Sequence, residues 1–177
     1  MAGNVFDELF EVGVHGFFGS ILGWQTFITC HRGLEESPVR AWDERDDGFV
    51  VMGRLVPEKG LGLVIDALAR IREKRPVHLH VLGRRVRASY AREIDRLRRR
   101  HGDWIRLEGP VYGAEKAALL GGHRYGISGC RSEAFGLVQI EAHAAGTPVV
   151  STDLPTGVPY ANSDGATGLT VPPGDAL

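Results

Sequence analysis

The sequence predicts an α/β fold built on a doubly wound parallel sheet, and three observations predict it. Phe49-Val50-Val51-Met52 is a short apolar run of the kind found in strands covered on both faces. Leu61, Val64, Leu68 and Ile71 recur at helical spacing directly afterwards. Strand-like and helix-like segments then alternate to the end of the chain, which is the pattern of parallel strands joined by crossover helices.

Each element has its own signal. The first strand ends at Gly53-Arg54, Pro57 and Gly60 punctuate the turn, and Pro76 closes the first helix. Val77-His78-Leu79-His80-Val81-Leu82 is a second strand ending at Gly83. Tyr90, Ile94 and Leu97 mark a basic amphipathic helix, followed by a third strand, Trp104–Leu107, and Gly109-Pro110. Ala114–Leu120 is a short helix, and Tyr125–Ser128 is a weak strand. A helix over Phe135–Ala145, a buried strand over Pro148–Ser151 and a last short strand over Gly168–Val171 complete the pattern. Pro172 to Leu177 is a turn that would open another helix, so the reading is of a C-terminally truncated domain.

The chain has 177 residues, 43% hydrophobic and 24% charged, which is enough for one sizeable core and short for two full domains. Residues 1–47 form a poorly defined N-terminal segment and linker, and 48–177 form the domain. The glycines Gly13, Gly16, Gly19 and Gly23 are evenly spaced, but no strand precedes them and no Lys-Ser/Thr follows, so a phosphate loop is a weak reading. Val12 to Ile28 is apolar but shorter than the roughly 20 residues a spanning helix needs, and it contains His15 and Gln25. It reads as a packed strand or helix, or as a remnant of a lost domain, in preference to a membrane-inserted segment. The acidic N-terminus is not a signal peptide. A net charge of −1 gives no argument for nucleic acid as a partner. Cys30 and Cys130 make neither a disulfide framework nor a metal spacing, which fits a reduced, cytoplasmic setting.

In an open parallel sheet, ligands sit at the carboxyl ends of the strands. Arg54 follows the first strand, and Lys59 stands at the mouth of the next helix. A guanidinium and an ammonium held by a rigid turn can clamp a diphosphate; two solvated loop cations are the other reading. Glu133 and Glu141 are eight positions apart, one before a helix and one inside it. Amides of Phe135, Gly136 and Leu137 would face a phosphate at the positive end of the helix dipole. Glu133 can accept hydrogen bonds from sugar hydroxyls, and Glu141 can accept two from a ribose diol. A lone pair of glutamates would mean little; Arg54 and Lys59 upstream and the Gly-Thr-Pro-Val-Val strand downstream give it weight.

Gly53 to Gly60, Glu133-Ala134-Phe135-Gly136 with Glu141-Ala142, Ala145 to Val150, and Gly165 to Gly174 occur in the order and near the spacing of a known family. Over residues 48–177 the chain resembles the C-terminal, donor-binding domain of a family 4 retaining glycosyltransferase of the GT-B architecture, in which two Rossmann-like domains face across a cleft. The resemblance implies a retaining hexosyltransferase that takes a UDP- or GDP-linked sugar. Its acceptor is a glycan, a lipid-linked species or a small molecule. Arg54 and Lys59 would hold the diphosphate and stabilise the leaving group, with Gly53 beside them. Glu133 would bind the transferred sugar, Phe135 to Leu137 would offer backbone amides, and Glu141 would bind the ribose. The implied catalytic set is Arg54, Lys59 and Glu133. No metal cofactor is implied, because cations and a helix end neutralise the departing diphosphate, and retention is attributed to a front-face reaction. The alternative is a truncated, non-catalytic module that binds the nucleotide sugar or only folds.

Three departures stand out. Gly83 is followed by Arg84-Arg85 where members carry a glycine–acidic–glycine turn. The strand before Glu133 is broken by glycine and expected to be weak. Residues 1–47 cannot build an acceptor domain, so a second domain or chain would have to hold the acceptor. Elsewhere, the eight arginines of Arg84 to Arg100 read as a solvated helix face in preference to a peripheral contact with acidic lipid. Ser128, His143 and Asp153 lack a nucleophile elbow and do not suggest a hydrolase. His78 and His80 share a strand face, but a metal there needs a third ligand that the sequence does not place.

Overall fold

The computed structural model describes residues 39–173. The spaced glycines Gly13 to Gly23, the apolar stretch Val12–Ile28 and Cys30 lie outside the described residues. Six strands, β1 (Asp46–Met52), β2 (Leu79–Leu82), β3 (Ile105–Gly109), β4 (His123–Ser128), β5 (Val149–Thr152) and β6 (Gly168–Val171), form one sheet in the order β3-β2-β1-β4-β5-β6. Every neighbouring pair is parallel. Helices α1 (Leu61–Arg72), α2 (Ala88–His101), α3 (Gly113–Gly121), α4 (Leu137–Ala144) and the single turn α5 (Val158–Ala161) make the connections.

Because successive side chains of a strand point to opposite faces, β1 feeds two cores. Phe49 and Val51 join a layer with Leu61, Val64, Ile65 and Leu68 of α1 and Tyr90 and Ile94 of α2. Val50 and Met52 join the other layer, with Leu120 of α3 and Ala142 of α4. The sheet is therefore wound on both faces, as the unbroken apolar run in β1 predicts. The chain moves outward from β1 to β3, then returns to β4 on the other side and proceeds to β6. The reversal leaves a crevice at the carboxyl ends of β1 and β4, where an α/β sheet binds its ligands.

The glycine-broken strand is not weak. β4 is central, hydrogen-bonded to both β1 and β5. A Cβ at Gly126 would come within 2.9 Å of Val149 Cγ2, so the glycine serves a close approach between neighbouring strands. The helix expected to begin at Phe135 begins at Leu137, because Gly136 takes the left-handed conformation (φ 86°, ψ 42°), which an α-helix cannot include. α5 carries Pro159 in its first turn and reads in sequence as a breaker. The charged stretch before residue 48 is partly integral to the domain: β1 opens at Asp46, and Arg45 is buried. The Arg45 guanidinium donates to the Gly146 carbonyl at 2.6 Å and to Thr147 Oγ1 at 3.3 Å, tying the start of β1 to the loop before β5.

Candidate functional site

The carboxyl edge of the sheet gathers charge from three loops and two helices. Gly53 and Arg54 leave β1 directly, and the Gly53 amide donates to the Leu82 carbonyl at 2.9 Å, which fixes where Arg54 starts. Arg54 is exposed. It overlooks a cleft of about 410 Å³ whose wall includes Met52, Gly53, Arg84, Lys116, Val138 and Glu141. Pro57–Lys59 forms a 3-10 turn that ends at Gly60 and points Lys59 back over the strand end.

Lys59 is not free to meet an anion unopposed. Its Nζ donates to Glu133 Oε2 at 2.5 Å, joining the loop after β1 to the loop after β4. The other carboxylate oxygen, Glu133 Oε1, accepts the amides of Ala134 at 2.9 Å and Phe135 at 3.4 Å. Burial alone pushes the Glu133 carboxyl up, but the Lys59 ammonium and the amides of Phe135 and Gly136 outweigh it and hold the pKa below the ordinary carboxylate value. Glu133 thus stays ionised and engages two of the three amides expected to face a phosphate, those of Phe135 and Gly136.

Glu141 projects from the middle of α4 into the cleft, where Lys116 Nζ donates to its Oε1 at 2.8 Å. Lys116 lies in the early turns of α3 and is absent from the residues read as a site. Its signal is positional: α3 follows β3, so its first turns also face the carboxyl edge. Arg84 is the other cation in the cleft wall that the sequence reading left unassigned. Its neighbour Arg85 makes a two-pronged ion pair with Asp95 of α2 at 2.8 and 2.9 Å and is spent there. Tyr112 stands 73% exposed at the same wall.

The predicted residues therefore fall into three groups. Gly53, Arg54 and Glu141 line one cleft. Lys59 lines a narrow crevice beside it, sharing Gly53 and Arg54, and brings Glu133 to that side through its ion pair. Phe135, Gly136 and Leu137 do not line the cleft: the Phe135 ring lies 6.0 Å from that of Tyr160, Gly136 is buried, and Leu137 is exposed. The imagined hydrolase set is dispersed. Ser128 donates to Cys130 Sγ at 3.2 Å, and His143 is buried with Nδ1 3.2 Å from the Thr147 carbonyl. Cys130 is a free, buried thiol. Among the described residues no helix is long and apolar enough to cross a membrane.

Comparison with known proteins gives the family and agrees with the fold. The sequence model described as Glycosyl transferases group 1 matches residues 46–177. The chain is 36% identical over 125 residues to a phosphatidyl-myo-inositol mannosyltransferase of Mycobacterium leprae, covering 68% of this chain and 31% of that protein. It is 32% identical over 133 residues to a D-inositol 3-phosphate glycosyltransferase of Jonesia denitrificans, covering 71% of this chain and 31% of that protein. The chain thus spans about a third of the length of these relatives. The crystal structure of Anabaena HepE in complex with UDP and glucose superposes with a TM-score of 0.66 at 22% identity, over 89% of this chain and 39% of that one. With a GT-B-like Rossmann sheet and a family match over most of its length, the chain belongs to the group 1 glycosyl transferases.

Proposed function

We propose that this chain is the donor-binding part of a retaining hexosyltransferase and that its cleft takes a nucleotide-diphospho-sugar, UDP- or GDP-linked. The observation that carries the reading is the cleft over the carboxyl ends of β1, β2 and β3, whose wall brings Arg54, Arg84 and Lys116 together with one carboxylate, Glu141. An excess of cations suits a diphosphate, and the carboxylate suits a vicinal diol. HepE, crystallised with UDP and with UDP-glucose, supports the ligand class.

In this reading Arg54 grips the diphosphate by its planar fork, while Lys59 supplies a point charge to the developing leaving group. Glu133 holds Lys59 in place and accepts from the sugar hydroxyls. Gly53 leaves room for the donor at the end of β1, Phe135 to Leu137 offer backbone amides from the Glu133 side, and Glu141 receives the ribose hydroxyls. No metal is needed for the transfer, since these cations do its work. The acceptor is held by a second domain or chain, and a lipid-linked acceptor would add peripheral contact with a membrane.

Calorimetric titration of the chain with UDP, GDP and pyrophosphate tests the reading. One nucleoside diphosphate should bind. Glu141→Ala should weaken it by about 10-fold, the worth of roughly one hydrogen bond to a charged group, and leave pyrophosphate unchanged or slightly tighter, because Lys116 is released. Equal losses for both ligands would refute the ribose role, and no heat with either nucleotide would refute the cleft.

A further inference from the structure

The opposite end of the sheet carries a cluster that sugar transfer does not use. His78 precedes β2, His80 lies within it, and His123 opens β4, while β1 runs between the two strands. Val50 pairs with His80 and Asp46 with His123, so the three imidazoles converge over the first half of β1. Gly48 makes the convergence feasible: a Cβ there would come within 2.3 Å of His78 Nε2. The ring centroids of His80 and His123 are 4.5 Å apart, and those of His78 and His80 5.5 Å. Each ring offers one nitrogen such that the three lie within 4.8 Å of one another.

The ring nitrogens are poised as ligands. His123 is 4% exposed, and its Nδ1 lies 2.6 Å from the Leu119 carbonyl, to which it donates; Nε2 is left as a bare, buried lone pair. His80 is 7% exposed and makes no hydrogen bond at either nitrogen. Its Nδ1 is 3.2 Å from Glu108 Oε1 but out of hydrogen-bond alignment, so a rotation of the ring would let the carboxylate orient a metal-bound imidazole. His78 Nε2 is 2.7 Å from Asp46 Oδ1. Buried polar atoms without partners are rare and cost about 1–3 kcal/mol each. A cavity of about 470 Å³, whose wall carries Asp46, Glu108 and Glu115 against one cation, Arg40, opens onto His123.

We infer that His78, His80 and His123 form a binding site for a divalent transition metal of the zinc class, with water in the fourth position and Asp46 and Glu108 orienting the rings. Three imidazoles and a water are a known tetrahedral zinc set. Nitrogens about 3.4 Å apart are needed around zinc, so the rings draw together by ring rotation. The metal ties β2 to β4 across β1. It lies at the amino ends of the strands, away from the diphosphate cleft, and its presence or absence is independent of the donor reading.

The test is titration of the full, tag-free chain with cobalt(II) and zinc(II). One cobalt per chain should give tetrahedral ligand-field bands without thiolate charge transfer. Zinc should displace it and raise the melting temperature. His80→Gln and His123→Gln should abolish the bands, Glu108→Gln should weaken binding about 10- to 100-fold, and His101→Gln should change nothing. Nitrogen-detected imidazole spectra of the unaltered chain provide a readout that needs no variant: zinc should shift His78, His80 and His123 alone. Binding absent, binding that survives His80→Gln, or zinc shifts at other histidines would each overturn the site.

Discussion

The two ends of the sheet treat charge in opposite ways. At the carboxyl ends, ammonium and carboxylate meet in pairs that remain partly wet: Lys59 with Glu133, and Lys116 with Glu141, each side chain about one-fifth to one-quarter exposed. At the amino ends, His80 and His123 are almost sealed, and ring nitrogens go without partners. A wet ion pair is cheap to break, because water and salt already screen it; an anionic ligand can take over one member and leave the other solvated. A sealed imidazole has no such substitute. The first edge is built for a ligand that comes and goes, the second for a group that stays.

The largest expected effect probes the buried end of this comparison without touching either edge. His143 lies on the same helix as Glu141 but faces inward, and burial pushes its pKa down to about 4. Its folded pKa lies below the unfolded one, so its contribution to stability is full above about pH 6.5 and is lost as pH falls toward 4, about 3 kcal/mol in all. Urea unfolding should show the loss in the wild type and a flatter profile in His143→Gln. The depressed Glu133 pKa acts in the same direction but only in the more acidic carboxylate range, so the two windows separate. A His143→Gln profile parallel to wild type would show that buried imidazoles here are not held neutral by the fold.

The next effect belongs to the wet edge. Arg54→Ala should leave unfolding unchanged, since the side chain is exposed, and weaken UDP or GDP about 10- to 100-fold, the worth of a charge-assisted contact. Its loss should fall equally on pyrophosphate. Unchanged affinity would move the diphosphate away from β1 altogether.

Much of this was legible in the residues. The apolar run in β1 gave a strand covered on both faces, and Gly168–Val171 spans the same residues in sequence and structure. What was not legible depended on tertiary approach. Gly126 looks like a strand breaker until Val149 is seen packed against it. The same holds for the sites. Arg54, Lys59 and Glu133 could be named because each sits between a recognisable strand and helix, and Glu141 because it stands eight positions after Glu133 on the helix that follows, yet their pairing could not, since ion pairs between distant elements leave no local pattern. Lys116 was missed because α3 had no motif, and His123 because its partners His78 and His80 lie on a strand two places away in the sheet.

The smallest effect decides what Lys116 is for. The Lys116–Glu141 pair is partly exposed, so its own contribution to stability is under about 1 kcal/mol. If Lys116 serves to hold Glu141 against the ribose, Lys116→Ala should weaken a nucleoside diphosphate by a few-fold, about 1 kcal/mol or less, and leave pyrophosphate untouched. The Glu141→Ala background should then erase the effect, because the double-mutant cycle would carry all of it as coupling. If Lys116 instead meets phosphate directly, pyrophosphate should weaken by the same factor, the effect should persist without Glu141, and added salt should shrink it. The first outcome keeps the wet edge as a set of internal pairs, one of which presents a carboxylate; the second makes the pair a latch that the diphosphate opens.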